Sequence, residues 1–144
     1  MDLALFTGAA RVDLVRLGRR HIEGGLLSFN RQKTGATSVV PITPELKAVI
    51  ARTPDISPTF LLTSHGKPFT PAGLGGKFGD AAQAAGMTSR LHGLRKAFCV
   101  YWAEKGRSTH EIAAMAGHLS LSEVERYTRA ADRRRMIRLL VENT

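Results

Sequence analysis

The chain has a single cysteine, few aromatic residues and no long apolar run. Because Cys99 has no second cysteine to pair with, an internal disulfide is excluded and a reducing cytoplasm is the expected compartment. No apolar run approaches the roughly 20 residues that a membrane-spanning helix requires, and no basic segment precedes the short apolar start of the chain. These absences predict a cytoplasmic protein without a membrane span.

Acidic side chains are scarce relative to basic ones. There are 12 Asp and Glu residues against 21 Lys and Arg residues, which gives a net charge of +9. Such an excess favours a polyanionic partner, with nucleic acid as the first candidate and an anionic membrane surface as the second. A basic surface that contacts only solvent is the alternative that charge by itself leaves open. The length of 144 residues predicts one folded domain, and no repeat or linker divides residues 1–144.

The residue patterns indicate several helices and a small amount of β-structure. Apolar residues spaced by three or four predict a helix at the start of the chain, and β-rich runs at 26–30 and 37–42 predict a hairpin with Lys33 near its tip. Two Thr-Pro pairs, at 43–44 and 70–71, are helix starts, because a hydroxyl cap precedes a proline at the first helical position. A short strand is expected at 60–63, and helices at 91–105, 109–116, 121–128 and 132–142.

The stretch "HGLRKAFCVYWAEKG", residues 92–106, places two polar side chains at the head of an otherwise apolar helix. His92 and Arg95 are three positions apart and therefore lie on one helix face. His118 follows a glycine, and Tyr127 comes nine residues later, beyond a helix start that Ser-Leu-Ser-Glu marks as a capping box. Singly, each has an ordinary explanation: satisfied histidines at helix ends, a half-buried tyrosine and, for Lys33, a solvated turn residue.

Together with Arg11 in the first helix, these residues share a common chemistry. Arginines can grip a phosphodiester with forked donors, and histidines exchange protons near neutral pH. A lysine can protonate a departing oxygen, and a tyrosine can attack phosphorus. The set therefore indicates chemistry on a phosphodiester bond.

In this order, the set resembles the catalytic domain of the tyrosine recombinases, the phage-integrase family related to type IB topoisomerases. The most specific segments are "LHGLRKAF", similar to the family's His-x-x-Arg box, and "AGHLSLSEVERYTR", similar to its Gly-His and its Arg-Tyr-Thr. The segment "RQKTGATSVVPI" resembles the family's hairpin lysine region, and "LFTGAARVDLVRL" its Thr-Gly arginine box. The resemblance covers essentially the whole chain. It implies an α+β, mainly α-helical fold with a small antiparallel β-hairpin or three-stranded sheet at one edge.

The resemblance also implies a reaction, the cleavage and rejoining of DNA strands. Tyr127 would form a 3′-phosphotyrosyl link while Arg11 and Arg95 hold the scissile phosphate. No metal or nucleotide cofactor is implied, because the phosphotyrosine conserves the energy of the broken bond.

The remaining site residues would move protons and bind the phosphate. By resemblance, His92 handles the proton of the nucleophile, His118 hydrogen-bonds the phosphate and Lys33 protonates the departing 5′ oxygen. The implied partners are double-stranded DNA and, in a full-length protein, further copies of the chain, because family members work as tetramers on paired DNA sites.

Two features depart from the family pattern. The family's first arginine usually follows Thr-Gly by two positions, where this chain has Ala10; Arg11 comes one position later, which rotates it about 100° around the helix. We expect the preceding turn to absorb one residue so that Arg11 takes the role, with the strict register at Ala10 as the alternative. Asp13 stands where the family often has an acidic residue behind the site. Most members also carry a DNA-clamping core-binding domain ahead of the Thr-Gly box, so the chain is expected to be a catalytic domain truncated on its N-terminal side.

Two other interpretations stay open at the level of sequence. A helix-turn-helix module would use Ile112, Ala113, Met115 and Ala116 as the core of one helix and residues 120–128 as a recognition helix. It accounts for the charge, but it leaves the His-x-x-Arg box and Lys33 unexplained. The second is an inactive recombinase remnant that folds and binds DNA weakly.

Overall fold

A computed structural model describes residues 2–84, 93–117 and 120–143. Within these ranges the chain has the expected α+β, mainly helical architecture, and none of its helices is long and apolar enough to cross a membrane. The elements are α1 (Asp2–Thr7), α2 (Arg11–Leu14), β1 (Ile22–Glu23), β2 (Leu26–Asn30), β3 (Thr37–Pro41), α3 (Pro44–Ala51), α4 (Pro71–Ala84), α5 (Gly93–Glu104), α6 (Thr109–Ala116) and α7 (Leu121–Glu142).

The sheet is antiparallel, with strand order β1-β2-β3. The predicted hairpin is confirmed, and Phe29 pairs with Ser38 in its register. The two-residue strand β1 escaped prediction because it is too short to show an alternating pattern. The prediction of a strand at 60–63 is wrong. Leu62 makes an isolated bridge to Pro68 and is not part of a strand.

The opening segment is two helices and not the single one that its apolar spacing predicts. Gly8 ends α1 with a φ of +66°, a left-handed conformation that glycine adopts without strain. The hydroxyl of Thr7 donates to the Leu3 carbonyl (2.7 Å) and accepts from the Ala9 N–H (3.3 Å). A Cβ on Gly8 would lie 2.9 Å from the Phe98 ring, so this turn packs directly on α5.

The predicted helix starts are confirmed by their caps. The Thr43 hydroxyl accepts from the Leu46 N–H, and the Ser120 hydroxyl accepts from the Glu123 N–H in a full capping box. The helices expected at 121–128 and 132–142 are one continuous helix, because neither glycine nor proline interrupts the backbone between them.

Buried apolar side chains form two clusters. The first joins α1 and α2 to the sheet and α3, and the second joins α5, α6 and α7 to Val40 of β3. Cys99 is fully buried in the second cluster, as its apolar context predicts, and burial raises the pKa of its thiol to about 11. The second cluster positions α5 and α7 side by side, and the site is built on their contact.

Candidate active site

Arg95 is held at the start of α5 by the burial of its own helix. Phe98 and Trp102, three and seven positions later, anchor the inner face of α5 in the core. Arg95 is half-buried, and its Nε atom has no hydrogen-bond partner among the described residues. Burial lowers the pKa of Arg95, while nearby groups, Tyr127 first among them, act in the opposite direction. The fold therefore brings Arg95 close to Tyr127.

Tyr127 lies on the face of α7 that meets α5. Its neighbours Val124 and Thr128 are buried, and the half-buried Tyr127 ring packs against the same cluster. The guanidinium of Arg126 lies 5.2 Å from the ring centroid, a cation–π distance. Tyr127 therefore sits at the edge of the core, beside positive charge.

Lys33 is exposed in the turn between β2 and β3, as its position in the hairpin predicts. Two hydrogen bonds close this turn: the Arg31 N–H donates to the Ala36 carbonyl (2.8 Å), and the Gly35 N–H donates to the Arg31 carbonyl (2.7 Å). Gly35 has a φ of +73°, which explains the glycine at this point. Lys33 is thus an exposed cation on a closed turn.

Arg11 is the first residue of α2 and is exposed. Its guanidinium lies over Gly75 of α4, where any side chain at position 75 would collide with it. Ala10 is the N-cap of α2 and is half-buried. The Arg11 side chain, which was expected to contact the phosphate, therefore packs on α4 in this structure.

The most buried cation of the region is a residue outside the predicted set. Arg31 is only 3% exposed. Its Nε donates to the Ser38 hydroxyl (2.8 Å) and its Nη2 donates to the Gly8 carbonyl (3.1 Å). Burial lowers the pKa of Arg31 to about 10, the charge of Arg95 lowers it as well, and Asp13 opposes both. Arg31 and Arg95 are therefore near enough to act on each other.

One sequence signal could have identified Arg31. Leu27 and Phe29 alternate with exposed residues along β2, and the same period of two places Arg31 in the inward register. A charged residue at an inward position of a small sheet is unusual, because burying its charge is costly unless a partner compensates.

The hydrogen bonds of Arg31 continue through Ser38 to the end of α6. The Ser38 hydroxyl donates to the Ala116 carbonyl (2.9 Å), and Gly117 follows with a φ of +76°. A Cβ on Gly117 would lie 2.8 Å from the Thr37 carbonyl oxygen, so only glycine fits this contact. Two predicted site residues, His92 and His118, lie outside the described residues.

A basic groove of about 350 Å³ runs between α5 and α7 beside Tyr127. Its described lining includes no acidic side chain, and Arg134 reaches out to Glu104 of α5 (3.5 Å). A concave surface lined by positive charges attracts a polyanion. The groove cations are Lys96, Arg126, Arg129, Arg133 and Arg134.

The arrangement of helices around a small edge sheet is also found in solved structures of integrases and recombinases. A lambda integrase dimer bound to a COC′ core site is similar to this chain with a TM-score of 0.73 and 23% identity, over 88% of this chain and 49% of that one. The Tn1549 transposon integrase in complex with a circular intermediate DNA is similar with a TM-score of 0.67 and 19% identity, over 95% and 56% of the two chains. XerA recombinase gives 0.70 and 17%, over 94% and 55%.

The model of the phage integrase family matches residues 1–134. The chain therefore belongs to the phage integrase family. No curated protein sequence matches it significantly. The chain spans about half the length of the solved structures that it resembles.

Proposed function

We propose that the chain is the catalytic domain of a site-specific DNA recombinase that cleaves and rejoins strands through a 3′-phosphotyrosyl intermediate. The observation that carries this proposal is the packing of α7 against α5, which places Tyr127 on the cluster that α5 forms and lets it interact electrostatically with Arg95. The buried Nε of Arg95 has no hydrogen-bond partner in the described part of the chain, which leaves a donor for an anion, and the proposed chemistry is that of the family.

The proposed step is an attack of the Tyr127 oxygen on the scissile phosphorus. The bond from phosphorus to the 5′ oxygen breaks as the bond to tyrosine forms. His92 accepts the phenol proton, and Lys33 donates a proton to the departing 5′ oxygen. The reverse sequence rejoins the strands, so no bond energy is lost and no cofactor is needed.

Charge stabilisation at the phosphate completes the proposal. Arg95, His118 and a second arginine donate to the non-bridging oxygens. The basic groove beside Tyr127 would hold the duplex backbone, because phosphate contacts supply most sequence-independent affinity. Like the DNA-bound relatives, the protein would act as an assembly of several copies on DNA.

The test uses a DNA duplex with a nick just beyond the cleavage position. After cleavage, the short fragment that carries the free 5′ hydroxyl dissociates, so the strands cannot be rejoined and the covalent adduct accumulates. We expect a slower-migrating protein band on a denaturing gel with the natural chain and none with Tyr127→Phe. Tyr101→Phe is the matched control, since Tyr101 is the chain's other tyrosine and lies outside the proposed site. The absence of an adduct with the natural chain, despite DNA binding, would contradict the proposal.

Non-catalytic DNA binding is a second candidate, favoured by one observation. Ala10 occupies the position two after Gly8, and the Arg11 guanidinium is packed on α4. If no second arginine reaches the phosphate, the chain would be a DNA-binding remnant, or a helix-turn-helix module built on α6 and α7. Binding without any adduct would favour this candidate.

A further inference from the structure

Arg31 and Arg95 lie in the same region of the fold, because Arg31 donates to the Gly8 carbonyl and Gly8 packs on Phe98, one turn after Arg95 on α5. Arg31 is buried, Arg95 is half-buried, and neither forms a salt bridge within the described part of the chain. Asp13, the acid that acts on the charge of both arginines, is already engaged, because its carboxylate accepts from Arg16 and from the Gln32 N–H (3.0 Å). Burying like charges together is costly unless an anion compensates.

The hydrogen bonds of Arg31 leave part of its guanidinium unused. Nε and Nη2 bind Ser38 and Gly8, and these contacts orient the group rigidly. Nη1 is buried and has no hydrogen-bond partner among the described residues, and the same is true of Nε of Arg95. Two unpaired buried donors, on cations that interact electrostatically, have the chemistry to bind an oxyanion.

Arg31 contacts the Thr-Gly box, the segment in which this chain differs from the family pattern. Arg31 binds the carbonyl of Gly8, the residue two positions before Ala10. Ala10 has no charge, and Arg11 is exposed against Gly75. The charge of Arg95 lowers the pKa of Arg31.

We propose that Arg31 and Arg95 together bind the scissile phosphate, so that Arg31, from the hairpin, supplies the second arginine in place of Arg11. The ligand is a phosphodiester or a free phosphate dianion. This assignment deepens the proposed recombinase function and rests on it for the identity of the phosphate.

The first test is independent of catalysis. Inorganic phosphate is titrated into the natural 144-residue chain while the arginine Nε–H resonances are followed by ¹⁵N NMR. We expect the resonances of Arg31 and Arg95 to shift together and that of Arg11 to stay unchanged. A shift of Arg11 in place of Arg31, or no shift of Arg31, would overturn the assignment.

The second test compares adduct formation on the nicked duplex for Arg31→Gln and Arg11→Gln. We expect Arg31→Gln to reduce the rate by about 100- to 1,000-fold, the usual effect of losing a donor that stabilises a developing charge. Arg11→Gln should reduce the rate much less than Arg31→Gln does. The opposite ranking would return the role to Arg11 and overturn the proposal.

A double variant separates phosphate binding from a merely structural role. Arg31→Gln retains an amide that can donate to Gly8, and melting curves report whether the fold is kept. Adding Ala10→Arg to Arg31→Gln should restore adduct formation, because an arginine returns beside the phosphate. Failure of this rescue in a folded protein, with unimpaired phosphate binding in Arg31→Gln, would make Arg31 structural.

The outcomes distinguish this proposal from the one it rests on. An adduct that needs Tyr127 but does not respond to Arg31→Gln would keep the recombinase function and reject Arg31. Phosphate shifts at Arg31 and Arg95 without any adduct from the natural chain would keep the anion site and reject the function. Should Arg31→Gln fail to fold, the titration of the natural chain decides.

Discussion

The hydroxyl of Ser38 on β3 donates a 2.9 Å hydrogen bond to the carbonyl of Ala116 at the end of α6. The same oxygen accepts the Nε–H of Arg31, so one buried atom joins the hairpin to the helical half of the fold. This link holds the end of α6 against the sheet.

Ser38→Ala should therefore destabilise the fold. It leaves the Nε of Arg31 and the carbonyl of Ala116 without this buried hydroxyl, and a decrease of about 1–3 kcal/mol in the free energy of unfolding is expected. Ser28→Ala is the control, because Ser28 is exposed on β2. Urea denaturation of both variants measures the difference, and equal midpoints for the two would contradict the prediction.

Gly8→Ala should lower the free energy of unfolding more than Gly24→Ala does. Gly8 and Gly24 both have positive φ, +66° and +57°, so an alanine at either meets a strain of about 1–2 kcal/mol. Only at Gly8 would the new Cβ press on Phe98, which adds overpacking of about 1–3 kcal/mol. Thermal unfolding of both variants tests this, and similar melting temperatures would show that the ring yields without cost.

Lys33→Ala should slow strand cleavage more than it weakens DNA binding. A general acid acts on the leaving oxygen in the transition state, an effect of about 100- to 10,000-fold on rate. A substrate with sulfur in place of the departing 5′ oxygen should restore the rate, because a thiolate leaves without a proton. Lys67→Ala, in another exposed turn, is the control. Parallel decreases in binding and cleavage, without rescue by sulfur, would reduce Lys33 to a phosphate contact.

DNA binding should depend steeply on salt, with the groove between α5 and α7 as its source. Arg129→Gln removes one groove cation, and the slope of log affinity against log salt should fall by about 0.9 for each phosphate that this arginine neutralises. Arg52→Gln is the control, since Arg52 pairs with Asp2 outside the groove (3.1 Å). Fluorescence anisotropy at several salt concentrations measures both slopes, and an unchanged slope for Arg129→Gln would place the duplex elsewhere.

Cys99 should make stability fall at alkaline pH. Burial raises the pKa of its thiol from 9.0 to about 11, so the unfolded chain loses this proton first. Between these two pH values the unfolded state binds fewer protons than the folded state, and stability decreases as pH rises. Cys99→Ala should remove this component of the pH dependence in urea titrations. An identical pH profile for the unsubstituted chain and Cys99→Ala would show that burial does not raise the pKa of the thiol.

Local contacts determined much of this protein directly from its sequence. The helix starts at Thr43 and Ser120 were predictable because each cap joins residues three positions apart. The hairpin around Lys33 followed from alternation on either side of a glycine turn. The ordered motifs around Arg95 and Tyr127 pointed to the family because they are contiguous segments.

Only the tertiary structure decided which cations lie together. The Gly8 turn divides the opening helix because it packs on Phe98, a residue far along the chain. Arg11 lies against Gly75, and Arg31 lies near Arg95, through contacts between elements that no short segment contains. Helical period and alternation specify the face on which a side chain stands, whereas the neighbour that it meets depends on how the faces pack. The sequence therefore determined most of the elements and the family, and packing decided where the opening helix divides and which arginine is buried in the region of Arg95.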